Sequence, residues 1–337
     1  MAEKIKFDEI HTRKKQENLS RMMWETARAV LRIRNDTPES PYCPICRAPN
    51  AEHFTEKFGF ALSRCEECRQ IFCNPFPSKE QLSYYYNSAM KDFENEFFLE
   101  SFEQRIPIFD RRIKIICSYM SSGKLLDVGS AVGIFLTALK RSRALFEIHC
   151  CDPSTDACRH LSERHQDITL HTMMIEDMTV DGAFDAVTMW DTLEHIQDGH
   201  AVARKVKTLL KPGGYWFFST PNTGSFEWSV AGDNHVQLLP PGHINLYNIA
   251  SISILLERAG LELIDHHTLN GSLDVGYVKK LLVGGEERPR INAGNFLADR
   301  LGDPIFADAF AEFLVTTKQG GNIFVVARRR HEDGTAP

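Results

Sequence analysis

No run of apolar residues in this chain reaches the ~18 needed to cross a bilayer as a helix, which excludes a helical membrane span. The first residues, Met1-Ala2-Glu3-Lys4-Ile5-Lys6, have no secretory apolar segment, so a cytoplasmic protein is expected. Positive charge is not in excess: 39 Lys and Arg against 45 Asp and Glu leave a net charge of -6. That balance disfavours broad electrostatic capture of nucleic acid. No repeat of 20–50 residues and no low-complexity tract is present, which excludes solenoids and fibrous arrays. The 337 residues exceed one average domain and suit a large α/β domain with a smaller module.

Cysteine, by contrast, is plentiful, with nine residues. Such cysteines read as thiols or metal ligands, not as a disulfide framework. Four of them form two matched knuckles, Cys43-Pro44-Ile45-Cys46 and Cys65-Glu66-Glu67-Cys68, separated by eighteen residues. Two C-x2-C pairs at this distance close one tetrahedral thiolate site, for which zinc is the preferred ion. Four thiolates leave no open coordination position, so the ion is expected to be structural. Cys150 and Cys151 end a predicted strand and read as small buried hydrophobes.

The order of segments predicts three parts: an amino-terminal helix within 1–36, a zinc-ribbon module over 37–78, and a large domain over 79–330. Residues 79–121 look helical, with Pro107 kinking or restarting the second stretch. From Lys124 onward short apolar strands alternate with amphipathic helices, the pattern of a mostly parallel sheet covered on both faces. Strands are expected at Lys124–Val128, Glu147–Cys151, Ile168–Thr172, Phe184–Trp190, Tyr215–Thr220, Leu261–His267 and Asn322–Arg328. Pro212-Gly213-Gly214 reads as a tight turn feeding the fifth of these. Residues 271–320, which include Gly284–Pro289, interrupt the pattern before the last strand, as a lid over a substrate or a surface for a homodimer.

The turn after the first strand of this alternation is Leu125-Leu126-Asp127-Val128-Gly129-Ser130-Ala131-Val132-Gly133. Gly129 and Gly133, with the small Ala131 between them, let a cofactor approach the backbone closely. A dinucleotide fingerprint would place glycine at 131 and glycine or alanine at 134, where this chain has Ala and Ile, so pyrophosphate binding is disfavoured. Asp127 suits an ammonium or sulfonium better than a phosphate. Asp152, at the end of the next strand, stands where an acid accepts hydrogen bonds from ribose hydroxyls.

On these residues the chain resembles the Rossmann-like S-adenosylmethionine-dependent methyltransferases. Cys151-Asp152-Pro153-Ser154, Phe184–Val187, Trp190–Ile196, Leu209–Gly214 and Ser219–Asn222 reinforce the likeness. It implies a seven-stranded sheet with an antiparallel last strand, and bound S-adenosylmethionine. By position it assigns Gly129, Ala131 and Gly133 to the methionine part, Asp127 to its amine, Asp152 to the ribose and Glu176 and Asp177 to adenine. Trp190 and Asp191 would border the sulfonium and the substrate. Leu193-Glu194-His195-Ile196 is similar to the subgroup with quinone and other small-molecule O-methyltransferases. Pro240–Tyr247 and Arg64–Pro75 resemble zinc-ribbon-bearing methyltransferases of bacterial biosynthetic clusters.

Methyl transfer to a hydroxyl needs alignment, exclusion of water and removal of a proton, and imidazole is the economical base. His195 and His243 are the candidates, with His235 a third. The expected substrate is a small or carrier-linked metabolite with oxygen as acceptor. Two rivals are a nucleic-acid methyltransferase of the ribosomal-RNA type and a non-catalytic zinc-ribbon scaffold. Against the first stand the net acidity and the absence of an Asn-Pro-Pro-Tyr or Asp-Pro-Pro-Tyr motif.

Overall fold

Strands of buried Leu, Val, Ile and Phe are followed by helices that cover their faces, and this alternation builds one seven-stranded sheet. The structure, a computed structural model, describes residues 13–269, 271–283 and 292–331. Gly284–Pro289 therefore lies outside the described residues.

The first part is helix α1 (Arg13–Leu31), followed by strands β1 (Ala51–Lys57), β2 (Phe60–Cys65) and β3 (Ile71–Cys73). Three helices come next: α2 (Lys79–Tyr86), α3 (Ala89–Glu100) and α4 (Phe102–Tyr119). The large sheet opens with β4 (Ser122–Val128), α5 (Ile134–Arg141), β5 (Leu145–Cys151), α6 (Thr155–Arg164), β6 (Thr169–His171) and β7 (Phe184–Trp190). It continues with α7 (Gly199–Leu209), β8 (Leu210–Pro221), α8 (Phe226–Ala231), β9 (Asn245–Leu246), α9 (Ile249–Ala259) and β10 (Leu261–His267). Helices α10 (Gly271–Val283), α11 (Asn292–Arg300) and α12 (Pro304–Thr316) precede the last strand, β11 (Asn322–Arg329).

The seven strands run in the order β10-β11-β8-β7-β4-β5-β6. All neighbours from β8 to β6 are parallel, and β11 is antiparallel to both β8 and β10. This is the expected α/β fold, and its order reverses between β4 and β7, the point where ligands gather above an open parallel sheet.

A second sheet, β1-β2-β3-β9, is antiparallel and joins the amino-terminal module to the large domain. Its last strand comes from the Pro-Pro-Gly-His segment, with Ile71 paired to Leu246 and Phe72 to Asn245. The knuckles also share a core with the large domain: Cys43, Ile45, Cys65 and Cys68 pack in one cluster with Val202, Val206, Ile252 and Leu255. Side chains of α7 and α9 fasten them there. His200 Nε2 donates to Ile45 O at 2.9 Å, Arg258 donates to Ile45 O and Cys46 O, and Asn248 Nδ2 donates to Cys68 O.

One expectation needs correction. The helical break lies at Ser101, not at Pro107, which sits inside α4. Ser101 ends α3, where its Oγ donates to Phe97 O, and then opens α4, with Pro107 lying beyond its first turn. Pro212-Gly213-Gly214 form the expected tight turn feeding Tyr215, set as a bulge within β8: Leu210 pairs with Phe184, Tyr215 with Ala186, and Gly213 takes φ +79°.

Candidate active site and metal centre

At the metal centre the four sulfurs converge on one point. Cys43 and Cys68 lie 3.6 Å apart and Cys46 and Cys65 3.4 Å apart, with all four within 4.8 Å of one another. A disulfide would need about 2.05 Å. Four sulfurs at roughly 2.3 Å from one zinc stand near 3.8 Å from each other, so this cluster fits the ion. The knuckles share one backbone turn. Arg47 N–H donates to Cys43 O and Arg69 N–H to Cys65 O, both at 3.1 Å, and both arginines take φ of 61°. A hydrogen bond from the Cys68 thiol holds Cys43 down to about 5, and the same bond pushes Cys68 up. Metal binding would displace the remaining thiol protons. Cys150 and Cys151, outside it, are buried and pushed up to about 12 by desolvation, which suits inert packing residues.

The glycine turn leaves β4 with three residues in the left-handed region: Gly129 (φ 72°), Ala131 (φ 44°) and Gly133 (φ 82°). A methyl group at Gly129 would meet Thr192 Oγ1 at 2.7 Å, and one at Gly133 would meet Leu161 at 2.6 Å, so neither glycine is replaceable without movement. Asp152 ties this turn to the end of β5. Its Oδ2 accepts Ala131 N–H at 3.0 Å and its Oδ1 accepts Ser154 N–H at 2.8 Å. Each oxygen keeps a further lone pair for a ligand hydroxyl. Asp127 is buried; its Oδ1 accepts Thr188 Oγ1 at 2.7 Å and its Oδ2 has no partner. Burial pushes it up to about 7. An orphaned carboxylate oxygen beside a tight glycine turn fits a cationic cofactor such as S-adenosylmethionine.

The other expected contacts are distributed unevenly. Glu176 and Asp177 lie exposed on a short 3-10 turn after β6. The Trp190 indole is in the core, between Phe135 (centroids 5.0 Å) and Phe324 (5.6 Å), with its Nε1 unpartnered. Asp191 caps β7 in the left-handed region (φ 47°), accepts Ser219 Oγ and Asn322 Nδ2, and faces the buried Arg112 at 3.6 Å.

His195 and His243 are brought together, with ring centroids 4.8 Å apart and edge to face. His195 Nδ1 bonds to Gly242 O and His243 Nδ1 to Gln237 O, each at 2.9 Å. Because a carbonyl only accepts, both rings carry the proton on Nδ1 and present a lone pair at Nε2. Burial lowers both, His195 well below the ordinary imidazole range. His235 is held apart, packed on Trp228 (4.7 Å) and Tyr277 (5.5 Å), and burial lowers it to about 3.

Sequence reasoning missed Glu194. It is buried, accepts Thr220 Oγ1 at 3.0 Å, and forms with His195 and His243 a group whose ligating atoms lie within 4.8 Å of one another. Burial, then the charge of Asp191, pushes it well above the carboxylate range. Tyr86 was also passed over, as one of an aromatic run; its ring meets His195 at 6.3 Å. Its neighbour Tyr85 is fitted to the Pro-Pro-Gly turn so closely that a methyl group on Gly242 would lie 2.3 Å from its hydroxyl. Gly242→Ala is expected to displace α2 and to lower the melting temperature by several degrees in a thermal scan, about 1–3 kcal/mol of overpacking.

A family described as "Methyltransferase domain" matches residues 94–266. Among curated relatives, a ubiquinone biosynthesis O-methyltransferase of Chromobacterium violaceum is 31% identical over 191 residues, covering 54% of this chain and 79% of that protein. One with the same name from Acinetobacter baylyi is 28% identical, covering 50% of this chain and 79% of that protein. Among solved structures, a putative methyltransferase of Bacillus halodurans C-125 is 16% identical, covers 66% of this chain and 98% of its own, and has a TM-score of 0.46. No helix among the described residues is long and apolar enough to cross a membrane. The matched span includes the glycine turn, Asp152 and the Glu194–His195 pair, so this chain belongs to the methyltransferase-domain family and is an S-adenosylmethionine-dependent methyltransferase.

Proposed function

We propose that the chain methylates a hydroxyl of a small metabolite, free or carrier-linked, in a cytoplasmic biosynthetic pathway. The observation that carries this reading is the pair of neutral imidazoles, His195 and His243, presenting Nε2 lone pairs beside Glu194 at the end of β7. Ubiquinone biosynthesis O-methyltransferases among the relatives support oxygen as acceptor and a small molecule as substrate.

S-adenosylmethionine, when bound, supplies an electrophilic methyl group on a sulfonium. Asp152 would hold the ribose, Gly129, Ala131 and Gly133 would give the methionine part close access, and Asp127 Oδ2 would face the amine. Glu176 and Asp177 would border adenine. Asp191 lies at the rim between cofactor and acceptor, while Trp190 supports that rim from below. His195 or His243 takes the acceptor proton at Nε2, and Glu194, fixed by Thr220, positions the pair and offsets the imidazolium charge. Helices α10–α12 act as a lid. This is supported by Tyr277, whose hydroxyl accepts Val236 N–H at 2.8 Å on the loop that leads to His243. A homodimer surface is the competing use, favoured by the exposed Ile305 and Phe313 on α12.

Incubation with radiolabelled cofactor and fractionated metabolites tests the reading: label is expected in a small-molecule fraction as a methyl ether, and label confined to RNA would overturn it. Asp152→Ala is expected to weaken cofactor binding about 100-fold in calorimetry, because two charge-assisted hydrogen bonds are lost. Unchanged affinity would remove Asp152 from the site.

Asp127 gives a pH signature. Its carboxyl, raised to about 7 in the free protein, must ionise to face a cationic amine, so cofactor binding expels a proton below that pH. Affinity is then expected to rise severalfold between pH ~6 and pH ~7.5, before the α-amino group itself deprotonates near 7.7–8. Asp127→Asn should flatten this profile, and a flat profile in the parent would separate Asp127 from the amine.

A further inference from the structure

Where the amino-terminal module meets the carboxyl end of β8 there is a cavity of about 410 Å³, within the ~300–1,000 Å³ of small-molecule sites. Its wall includes Arg64 from β2, Arg69 from the second knuckle, His266 from β10 and Lys318 from the turn before β11, and no Asp or Glu. Burial lowers His266, which is therefore neutral near pH 7, and Lys318 is ion-paired with Asp265 at 3.0 Å. The two arginines differ. Neither has an ion-pair partner among the described residues, and the Arg64 guanidinium lies over the Phe54 ring at 5.2 Å.

Neutral donors on the wall are already engaged: Thr223 Oγ1 donates to Tyr247 O, Ser229 Oγ to Ser225 O, Asn222 Nδ2 to Gly320 O and Asn248 Nδ2 to Cys68 O. What the cavity has to offer is two guanidinium forks, which suit an anion with several acceptor oxygens. One strand pairing and one hydrogen bond connect its wall to the rim of the active site. Asn222 follows Pro221, whose partner in β11 is Asn322, and the Asn322 side chain donates to Asp191 at the rim of the active site.

We propose that this cavity binds a phosphate or diphosphate group of the methyl acceptor, gripped by Arg64 and Arg69. The acceptor is thereby a small phosphate-bearing metabolite whose hydroxyl reaches His195 and His243. This deepens the O-methyltransferase reading and rests on it for the identity of the ligand as acceptor, although not for the binding of the anion.

The test is calorimetric titration of the zinc-loaded full chain with inorganic pyrophosphate, with Trp228 fluorescence as a second readout because that indole lines the cavity. Zinc retention is measured alongside. Submillimolar binding is expected, weakened at least tenfold by Arg64→Gln and by Arg69→Gln, partly restored by Arg69→Lys, and lowered by salt. Cofactor affinity should stay within twofold in all variants, which shows that they are folded. In methyl transfer, pyrophosphate should compete with the acceptor and not with the cofactor. No uptake by the parent, equal uptake by both Gln variants, or an RNA oligomer binding more tightly through the same arginines would overturn the proposal. Arginine-dependent pyrophosphate binding without any methyl transfer would instead leave the anion site standing and remove the acceptor assignment.

Discussion

Cys65→Ser is expected to abolish zinc binding and to unfold far more than the module that carries it. Structural zinc sites contribute about 10–16 kcal/mol in zinc-finger peptides, which rivals the 5–15 kcal/mol that holds an entire domain together. Here the knuckles are also core: Cys43, Cys65 and Cys68 are buried in the cluster that contains α7 and α9 residues. Without the metal, His200, Asn248 and Arg258 would lose the fixed carbonyls that they hold at Ile45, Cys46 and Cys68. Asn248 is also the N-cap of α9, so its disturbance reaches that helix directly. We therefore expect a loss of one zinc per chain by metal analysis and a fall in melting temperature of more than about 10 °C. Cys117→Ser, at a half-buried cysteine outside the cluster, should keep both values near the parent's. A Cys65→Ser protein that melts like the parent would show that the sulfurs hold no structural ion.

Much of this architecture is legible in the chain because strand and helix periods are local. The apolar run at Phe184–Trp190 and the acids Asp127 and Asp152 at strand ends declare themselves within a few residues. What stays hidden is long-range. Strand β9 is two residues long and meets its partner β3 some 170 positions away in the chain, so no local pattern marks it. That pairing makes the module part of the large domain's surface and assembles the arginine-lined cavity from five separate segments. Glu194 is hidden for another reason. In the chain it is one acid among 45, and only burial beside Thr220, His195 and His243 gives it a role. Trp190 is the converse case: its position in the motif suggests a ligand wall, while its indole fills the core between Phe135 and Phe324.

His243→Ala and His195→Ala are each expected to lower kcat by 10²–10⁴, the usual share of a positioned general base, while cofactor affinity stays within twofold. Because the rings touch and both lie within 4.8 Å of Glu194, the two act as a unit, and the double variant should be little worse than the poorer single one. Their Nδ1 atoms are committed to Gly242 O and Gln237 O, so only Nε2 can take the acceptor proton. The pH dependence follows with a definite sign. A base must be unprotonated to work, and burial lowers both imidazoles. With cofactor saturating, the acidic limb of kcat/KM for the acceptor should therefore lie below the ordinary histidine value of about 6.5, with the rate flat from there to pH ~8. Glu194→Gln removes the carboxyl that burial keeps protonated in the resting site but that would ionise beside an imidazolium and offset its charge. It should lower kcat and move that limb further toward acid, because a protonated ring is then harder to form. Substrate binding should change little. A limb that stays in place in Glu194→Gln would mean that the carboxylate only supports the fold, and two histidine variants that each keep a third of the parent kcat would mean that alignment alone drives the transfer.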